Sequence, residues 1–214
     1  IDFIDPQGIM LLSALAKSKG NQTFLGILSR ENILRKIENL KPQVIAYSAS
    51  TGEHKYYIKA NEAIKKKFPE IFTILGGAHT TFFPECIDKI TLDAICVGEG
   101  DEAFIDVIEA IEKSEEVSNI PNIHTKTKKN EPRMLYQNLD NLPFPDRDIF
   151  YNTTEMRHFP MKSFMASRGC PYSCTYCFNH AFRQLYKGKG KIIRRRSVKN
   201  VIEEIIAVKR KYPF

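Results

Sequence analysis

Three short apolar runs constrain this chain more than any other feature. They are "VIAYSAS" (44–50), "FTILGGAHTT" (72–81) and "DAICVGEGDE" (93–102). Each starts as a β-rich stretch and ends in small residues. Between them lie segments of helical length, at 54–68 and 101–113. Strands spaced by helices of this size predict a parallel sheet covered on both faces, because parallel neighbours need a crossover. Earlier in the chain, 8–19 reads as an amphipathic helix closed by Gly20, and "TFLGIL" (23–28) as a strand. Residues 29–41 read as a helix capped by Ser29, with Ile33, Leu34, Ile37 and Leu40 on one face.

Ligands of parallel sheets bind at the carboxyl ends of the strands, near a topological switch point. Here those ends carry Ser48 and Thr51, then Gly76, Gly77 and His79, then Gly98, Glu99 and Gly100. Glycine allows tight turns and close approach of backbone to a ligand. Three such ends in succession predict a wide, flat platform.

The pattern changes after residue 114. "HTKTKKNEPR" reads as a hairpin or loop, and "NLDNLPFPDRDIF" (138–150) carries Pro143 and Pro145, which interrupt helix and sheet alike. The expected division is therefore an α/β domain over 1–115, a linker over 116–160 and a second domain over 161–214. In the last part, 162–169 alternates into a strand and 191–196 reads as extended. Residues 197–211 form a helix capped by Ser197, with Val198, Val201, Ile202, Ile205 and Val208 as its apolar stripe.

The chain has 214 residues, 43% apolar and 27% charged, the balance of a globular protein. No apolar run approaches the roughly 18 residues of a membrane span, and no signal peptide is evident. The first residue is Ile1, so a fragment is expected. The formal net charge is +7. Solvated helix faces and loops account for most charge runs, while a basic surface also suits anionic partners. The five cysteines do not form an evenly spread framework. Reduced thiols used for metal, in a cytoplasmic protein, fit better.

Three of those cysteines crowd into "SRGCPYSCTYCFNH" (167–180), as Cys170-x3-Cys174-x2-Cys177. Thiolates favour zinc or iron–sulfur clusters. Zinc would take a fourth ligand, with His180 the nearest, but no second knuckle follows. A four-cysteine cluster would need one more thiol. Cys86 and Cys96 lie far upstream, where packing roles are expected. A [4Fe–4S] cluster on three thiolates leaves one iron open, as catalytic metal sites do.

The C-x3-C-x2-C spacing, with Tyr176 just before the third cysteine and a strand before the loop, resembles the signature of the radical S-adenosylmethionine (radical SAM) enzymes. That resemblance implies that Cys170, Cys174 and Cys177 are the cluster ligands. It also implies that S-adenosylmethionine chelates the open iron, and that Tyr176 lies beside its adenine. "GIMLLSALAKSKG", "ILGGAHTT", "ICVGEGDEAF", "NLDNLPFPDRD" and "RRRSVKNVIEEI" are similar to successive blocks of the cobalamin-binding members of that group. The implied fold is a flavodoxin-like, Rossmann-like parallel-sheet cobalamin (B12) domain, followed by the first βα portion of a partial TIM-like barrel. By position, Ser48, Thr51, Gly76, Gly77, His79, Gly98, Glu99 and Gly100 would line the cobalamin. The Asp-x-His-x-x-Gly motif that supplies a histidine to cobalt in many such domains is missing, and neither His54 nor His79 has that context. The first sheet strand and the later barrel strands are expected to lie outside the chain.

The implied activity is reductive cleavage of S-adenosylmethionine to a 5′-deoxyadenosyl radical, used to methylate an unactivated carbon or phosphorus through methylcobalamin. A small-molecule substrate and a reductant such as flavodoxin or ferredoxin are the implied partners. No acid–base pair is assignable beyond the cluster ligands. Alternatives are a radical cyclase or oxidase without methyl transfer, an RNA-modifying radical enzyme, and a non-catalytic corrinoid- or zinc-binding module. Against RNA modification, the N-terminal half holds no second cysteine set of the kind methylthiotransferases carry.

Overall fold

The computed structural model describes residues 5–213. In chain order its helices and strands are α1 (Gln7–Ser18), α2 (Ile33–Leu40), β1 (Val44–Ser48), α3 (His54–Lys67), β2 (Phe72–Gly76), α4 (Ala78–Phe82), β3 (Ala94–Cys96) and α5 (Asp101–Glu112). There follow β4 (Ile123–His124), α6 (Asp148–Tyr151), β5 (Ser167–Arg168), α7 (Asn179–Leu185), β6 (Arg194–Arg195) and α8 (Val198–Lys211). The chain divides into two compact units. One is residues 26–133; the other joins residues 1–25 to 134–214.

The unit of residues 26–133 holds a four-stranded sheet in the order β1-β2-β3-β4. β1 and β2 are parallel, as are β2 and β3, and β4 returns antiparallel beside β3. This is the expected α/β fold on a mainly parallel sheet, with the antiparallel β4 as an addition that was not expected. Strand order follows chain order, so no topological switch point lies among the described strands. The register pairs Ser48 with Gly76 and therefore brings two of the predicted strand ends side by side.

Ile74, Ala94, Cys96, Ala103, Val107 and Ile123 form the main core of this unit. Fully burying an isoleucine or valine contributes about 1.5–3 kcal/mol, so these strands are held chiefly by their apolar runs. Cys96 is part of that core, and burial pushes its thiol up to about 12. Its expected packing role fits this environment. A second cluster, Ile37, Ile64 and Ile71, seats α2 and α3.

Several local expectations are corrected. Residues 23–28 are not a strand: they alternate in exposure, but no ladder partner bonds them among the described residues. The helix predicted over 29–41 starts at Ile33, because the Asn32 side chain accepts a bond from the Arg35 amide, a better cap than Ser29. The strand read as running into a Gly-Gly turn does so, ending at Gly76, but a short helix, α4, follows Gly77 where no helix was expected. Residues 116–133 are not a linker. Asn122, buried and left-handed (φ 71°), donates to the Val97 carbonyl and accepts from the Arg133 amide, which ties this hairpin to the sheet. Asparagine tolerates that conformation better than most residues.

In the other unit α1 packs with the C-terminal elements. Met10, Tyr151, Val208 and Tyr212 form its core, and the Ser13 hydroxyl donates to Asp146. The boundary expected at residue 115 therefore does not divide the compact units. The strand predicted over 162–169 reduces to β5, which pairs antiparallel with β6 through Ser167–Arg195 and Arg168–Arg194. Helix α8 forms as expected, with Ser197 capping the Asn200 amide.

Beneath it lies a buried ion network. Arg147, 3% exposed, pairs with Asp5 and with Glu204, and Glu204 also holds Arg196. The Asp5 carboxylate accepts from the Ser163 amide, and Arg147 donates to the Ser163 carbonyl. The segment leading to β5 is thus fixed by charge-assisted bonds. No helix among the described residues is long and apolar enough to cross a membrane.

Candidate functional site: two cofactor-binding loops

The first candidate site sits at the carboxyl ends of β1, β2 and β3. Gly77 has φ 97°, and a Cβ there would lie 2.7 Å from the Ala49 carbonyl oxygen and 3.0 Å from Ser48 Oγ. Only glycine lets the turn after β2 sit this close to the turn after β1. The His79 amide then donates to Ala49 O (3.0 Å), and Thr51 Oγ1 lies 3.3 Å from His79 Nδ1. His79 is 7% exposed, stacked on His54 and flanked by Phe83. Burial, and then the charge of His54, holds its imidazole below the usual range, while Glu85 pulls the other way.

Two residues that the sequence did not single out complete this arrangement. Thr80 Oγ1 donates to the Cys96 carbonyl (2.8 Å), and the Gly98 amide donates to Thr81 Oγ1 (3.0 Å). Thr81 also donates to Gly77 O (2.8 Å). The paired threonines stitch the turn after β2 to the turn after β3. Their signal was the "GGAHTT" run: hydroxyls one turn beyond a Gly-Gly break. Ser48, Thr51, Gly76, Gly77 and His79 are therefore brought together, with Gly98 tied in by Thr81. Glu99 is half-buried beside them, and Gly100 opens α5 at φ −98°, a conformation that does not require glycine. Small residues thus stand at three neighbouring strand ends, and a broad planar ligand such as a corrin would suit such a surface.

The second candidate site is the cysteine loop. Gly169 opens it at φ 87°, and a Cβ there would run into the Ile192 carbonyl. The loop then departs directly from the β5–β6 pair. The Cys177 amide donates to Cys174 O (3.1 Å), and Asn179 Nδ2 lies 3.2 Å from Cys177 Sγ. Cys174 is exposed, Cys170 and Cys177 are half-buried, and all three are free thiols. Tyr176 is 91% exposed. Among the described residues no three His, Cys, Asp or Glu side chains converge on a point that could hold a single metal ion. A cubane asks for less convergence, since each thiolate binds a different iron. Three accessible thiols on one loop fit that demand.

Charge is distributed more sharply than the net value indicates. Residues 156–202 contain 11 Lys and Arg and no Asp or Glu, and outside them 25 acidic residues exceed 21 basic ones. The whole positive balance therefore surrounds the cysteine loop in sequence. Lys187, Lys191, Arg195 and Lys199 are exposed. The absence of acids over 47 residues was the available signal.

Comparison with known proteins bears on the first site most directly. Residues 3–108 match the B12 binding domain. An uncharacterized methyltransferase of Pyrococcus horikoshii is 26% identical over 211 residues, covering 94% of this chain and 45% of that protein. The cytidylyl-2-hydroxyethylphosphonate methyltransferase of Streptomyces wedmorensis is 26% identical, with 90% of this chain and 42% of that protein covered. The chain thus spans under half the length of these curated relatives. Among solved structures, the cobalamin-dependent S-adenosylmethionine radical enzyme OxsB, with aqua-cobalamin and S-adenosylmethionine bound, shares the fold. Its TM-score is 0.76 at 19% identity, over 98% of this chain and 30% of that one. Over residues 3–108, just under half of its length, the chain thus matches the B12 binding domain family.

Proposed function

We propose that this chain supplies the cobalamin-binding domain and the cluster-binding loop of a radical S-adenosylmethionine methyltransferase. The observation that carries the reading is the Cys170–Cys177 loop: three accessible free thiols within eight residues, rooted at a glycine that no other residue can replace. A [4Fe–4S] cluster held there would supply one-electron cleavage of S-adenosylmethionine, and cobalamin would supply methyl transfer to an unactivated carbon or phosphorus.

The chain's own residues do the binding and orienting. Cys170, Cys174 and Cys177 hold the cluster and leave one iron for S-adenosylmethionine. Tyr176 offers its ring face to the adenine. Ser48, Thr51, Gly76, Gly77, Gly98, Glu99 and Gly100 line the corrin. His79, buried against His54 and Phe83, forms part of the floor beneath it. A cytoplasmic one-electron donor such as flavodoxin or ferredoxin meets the basic surface near the loop, and the substrate is a small molecule.

The experiment is anaerobic reconstitution of the intact protein with iron, sulfide and hydroxocobalamin. Cluster absorbance, retained corrinoid, release of 5′-deoxyadenosine on reduction and transfer of labelled methyl are the expected results. Cleavage without methyl transfer would assign a cyclase or oxidase instead. Colourless protein with tightly held zinc would sink the radical reading. The acid-free stretch over 156–202 also favours RNA as a second reading. Tight RNA binding that weakens steeply with salt would support that reading.

A further inference from the structure

Three cysteines bind a cluster well only if the backbone between them is already shaped. The Cys170–Cys177 loop has little internal bonding, and residues 171–176 are all exposed. One side chain closes it from the following helix. Arg183, on α7, donates through Nη2 to the carbonyls of Cys170 (2.5 Å) and Tyr172 (2.7 Å), and through Nη1 to Ser173 Oγ (3.0 Å). A single guanidinium thus grips three successive points between the first and second cysteines.

We propose that Arg183 is a positioning residue that shapes the cysteine loop before the cluster is loaded. The inference rests on the cluster reading above for its purpose, but the clasp itself is a property of the metal-free chain. Guanidinium presents its donors in a rigid planar fork, whereas a lysine ammonium is a point charge on a flexible stem. Three acceptors on one arc suit the fork and not the ammonium. Arg183 forms no described ion pair with a carboxylate, so its charge is directed at the loop carbonyls. Those carbonyls are thereby turned towards Arg183 on α7. Asn179, one turn earlier on α7, reaches Cys177 Sγ, so one short helix touches both ends of the loop.

The test uses Arg183→Met, Arg183→Lys and Arg183→Ala in the intact protein. Site-resolved alkylation of the metal-free protein is the first readout. Cys170 and Cys177, half-buried in the clasped loop, should react about tenfold faster in Arg183→Met, a difference of about 1.4 kcal/mol. Cys174, already exposed, should react at an unchanged rate and serve as the internal control. Iron and sulfide bound per chain are the second readout, with Arg183→Met and Arg183→Lys both loading poorly. Guanidinium ion at non-denaturing concentration should restore loading to Arg183→Ala, which a merely unfolded variant would not allow. Unchanged alkylation rates at Cys170 and Cys177 in Arg183→Met would overturn the proposal, whatever the iron content. If the wild type takes up no iron, the cluster reading fails, while the alkylation result still decides the clasp.

Discussion

His54 and His79 stack face to face, with ring centroids 3.6 Å apart and 13° between their planes. They come from α3 and α4, the helices that follow two neighbouring strands. Two imidazoliums could not both occupy this arrangement. Burial already holds His79 below its ordinary value, and the charge of His54 adds to it, against a smaller opposing pull from Glu85. The sign follows from linkage. His79 binds its proton less readily folded than unfolded, so its contribution is fully present above the unfolded value and is lost as pH falls through it. Thermal unfolding should therefore show a lower Tm at pH 5 than at pH 7.5. His79→Phe, which keeps a ring against His54, should flatten that dependence. An equal pH slope in the variant would show that other groups carry it.

Gly77 is a tight backbone position at the strand ends. Alanine there meets Ala49 O at 2.7 Å and must also adopt φ 97°. Strain of this kind costs about 1–3 kcal/mol. Gly77→Ala should lower the denaturant midpoint accordingly and weaken corrinoid retention, because the turns after β1 and β2 must part. Gly76→Ala is the control. Its Cβ would meet Cys96 Cβ at 3.7 Å, ordinary contact, so stability should change little. Equal losses in both variants would mean that strand packing, not the Gly77 turn, sets the effect.

Glu204 is 1% exposed and holds both Arg147 and Arg196. Removing one partner of a buried pair costs about 3–5 kcal/mol, because a buried charge is left uncompensated. Glu204→Ala should fall in that range by urea unfolding. The Ser163 segment that Arg147 and Asp5 clamp leads directly to β5 and the cysteine loop. Protease sensitivity between residues 157 and 180 should therefore rise in the same variant. A loss below about 1 kcal/mol, the worth of an exposed pair, would show that water reaches the network.

What the sequence exposed, and what it hid, divides along the range of the interactions. Val44–Ser48 and Phe72–Gly76 were legible because apolar β-rich runs bounded by small residues have few other outcomes. Ser197 at the start of α8 was legible because a cap acts within three residues. Thr23–Leu28 was misread because an alternating pattern does not say whether a partner strand exists. The packing partners of α1 were not legible for a related reason. Met10 packs with Tyr151 and Val208, over a hundred residues away, and its pattern shows only that one face is buried. At the sites, the cysteine spacing and the glycine turns were local signals. Thr80, Thr81 and Arg183 were not, because each acts by bonding to backbone that its own neighbourhood does not reveal.

The acid-free stretch over 156–202 makes a kinetic prediction for the proposed electron donor. Clustered charge of one sign accelerates encounter with an oppositely charged protein, and the gain falls as salt screens it. Reduction by an acidic flavodoxin or ferredoxin should slow steeply between low salt and about 0.15 M, where the Debye length is about 8 Å. Exposed Arg195 lies in β6, which pairs with the strand from which the cysteine loop departs, and exposed Lys187 and Lys191 precede it on the segment from α7. Changing all three to Glu should slow reduction by the protein donor at least tenfold at low salt, within the range that electrostatic steering spans. Reduction by dithionite should change far less, since a small reductant needs no docked orientation. If the variant slows both equally, the substitutions have disturbed the loop itself. If it slows neither, the donor approaches from another face.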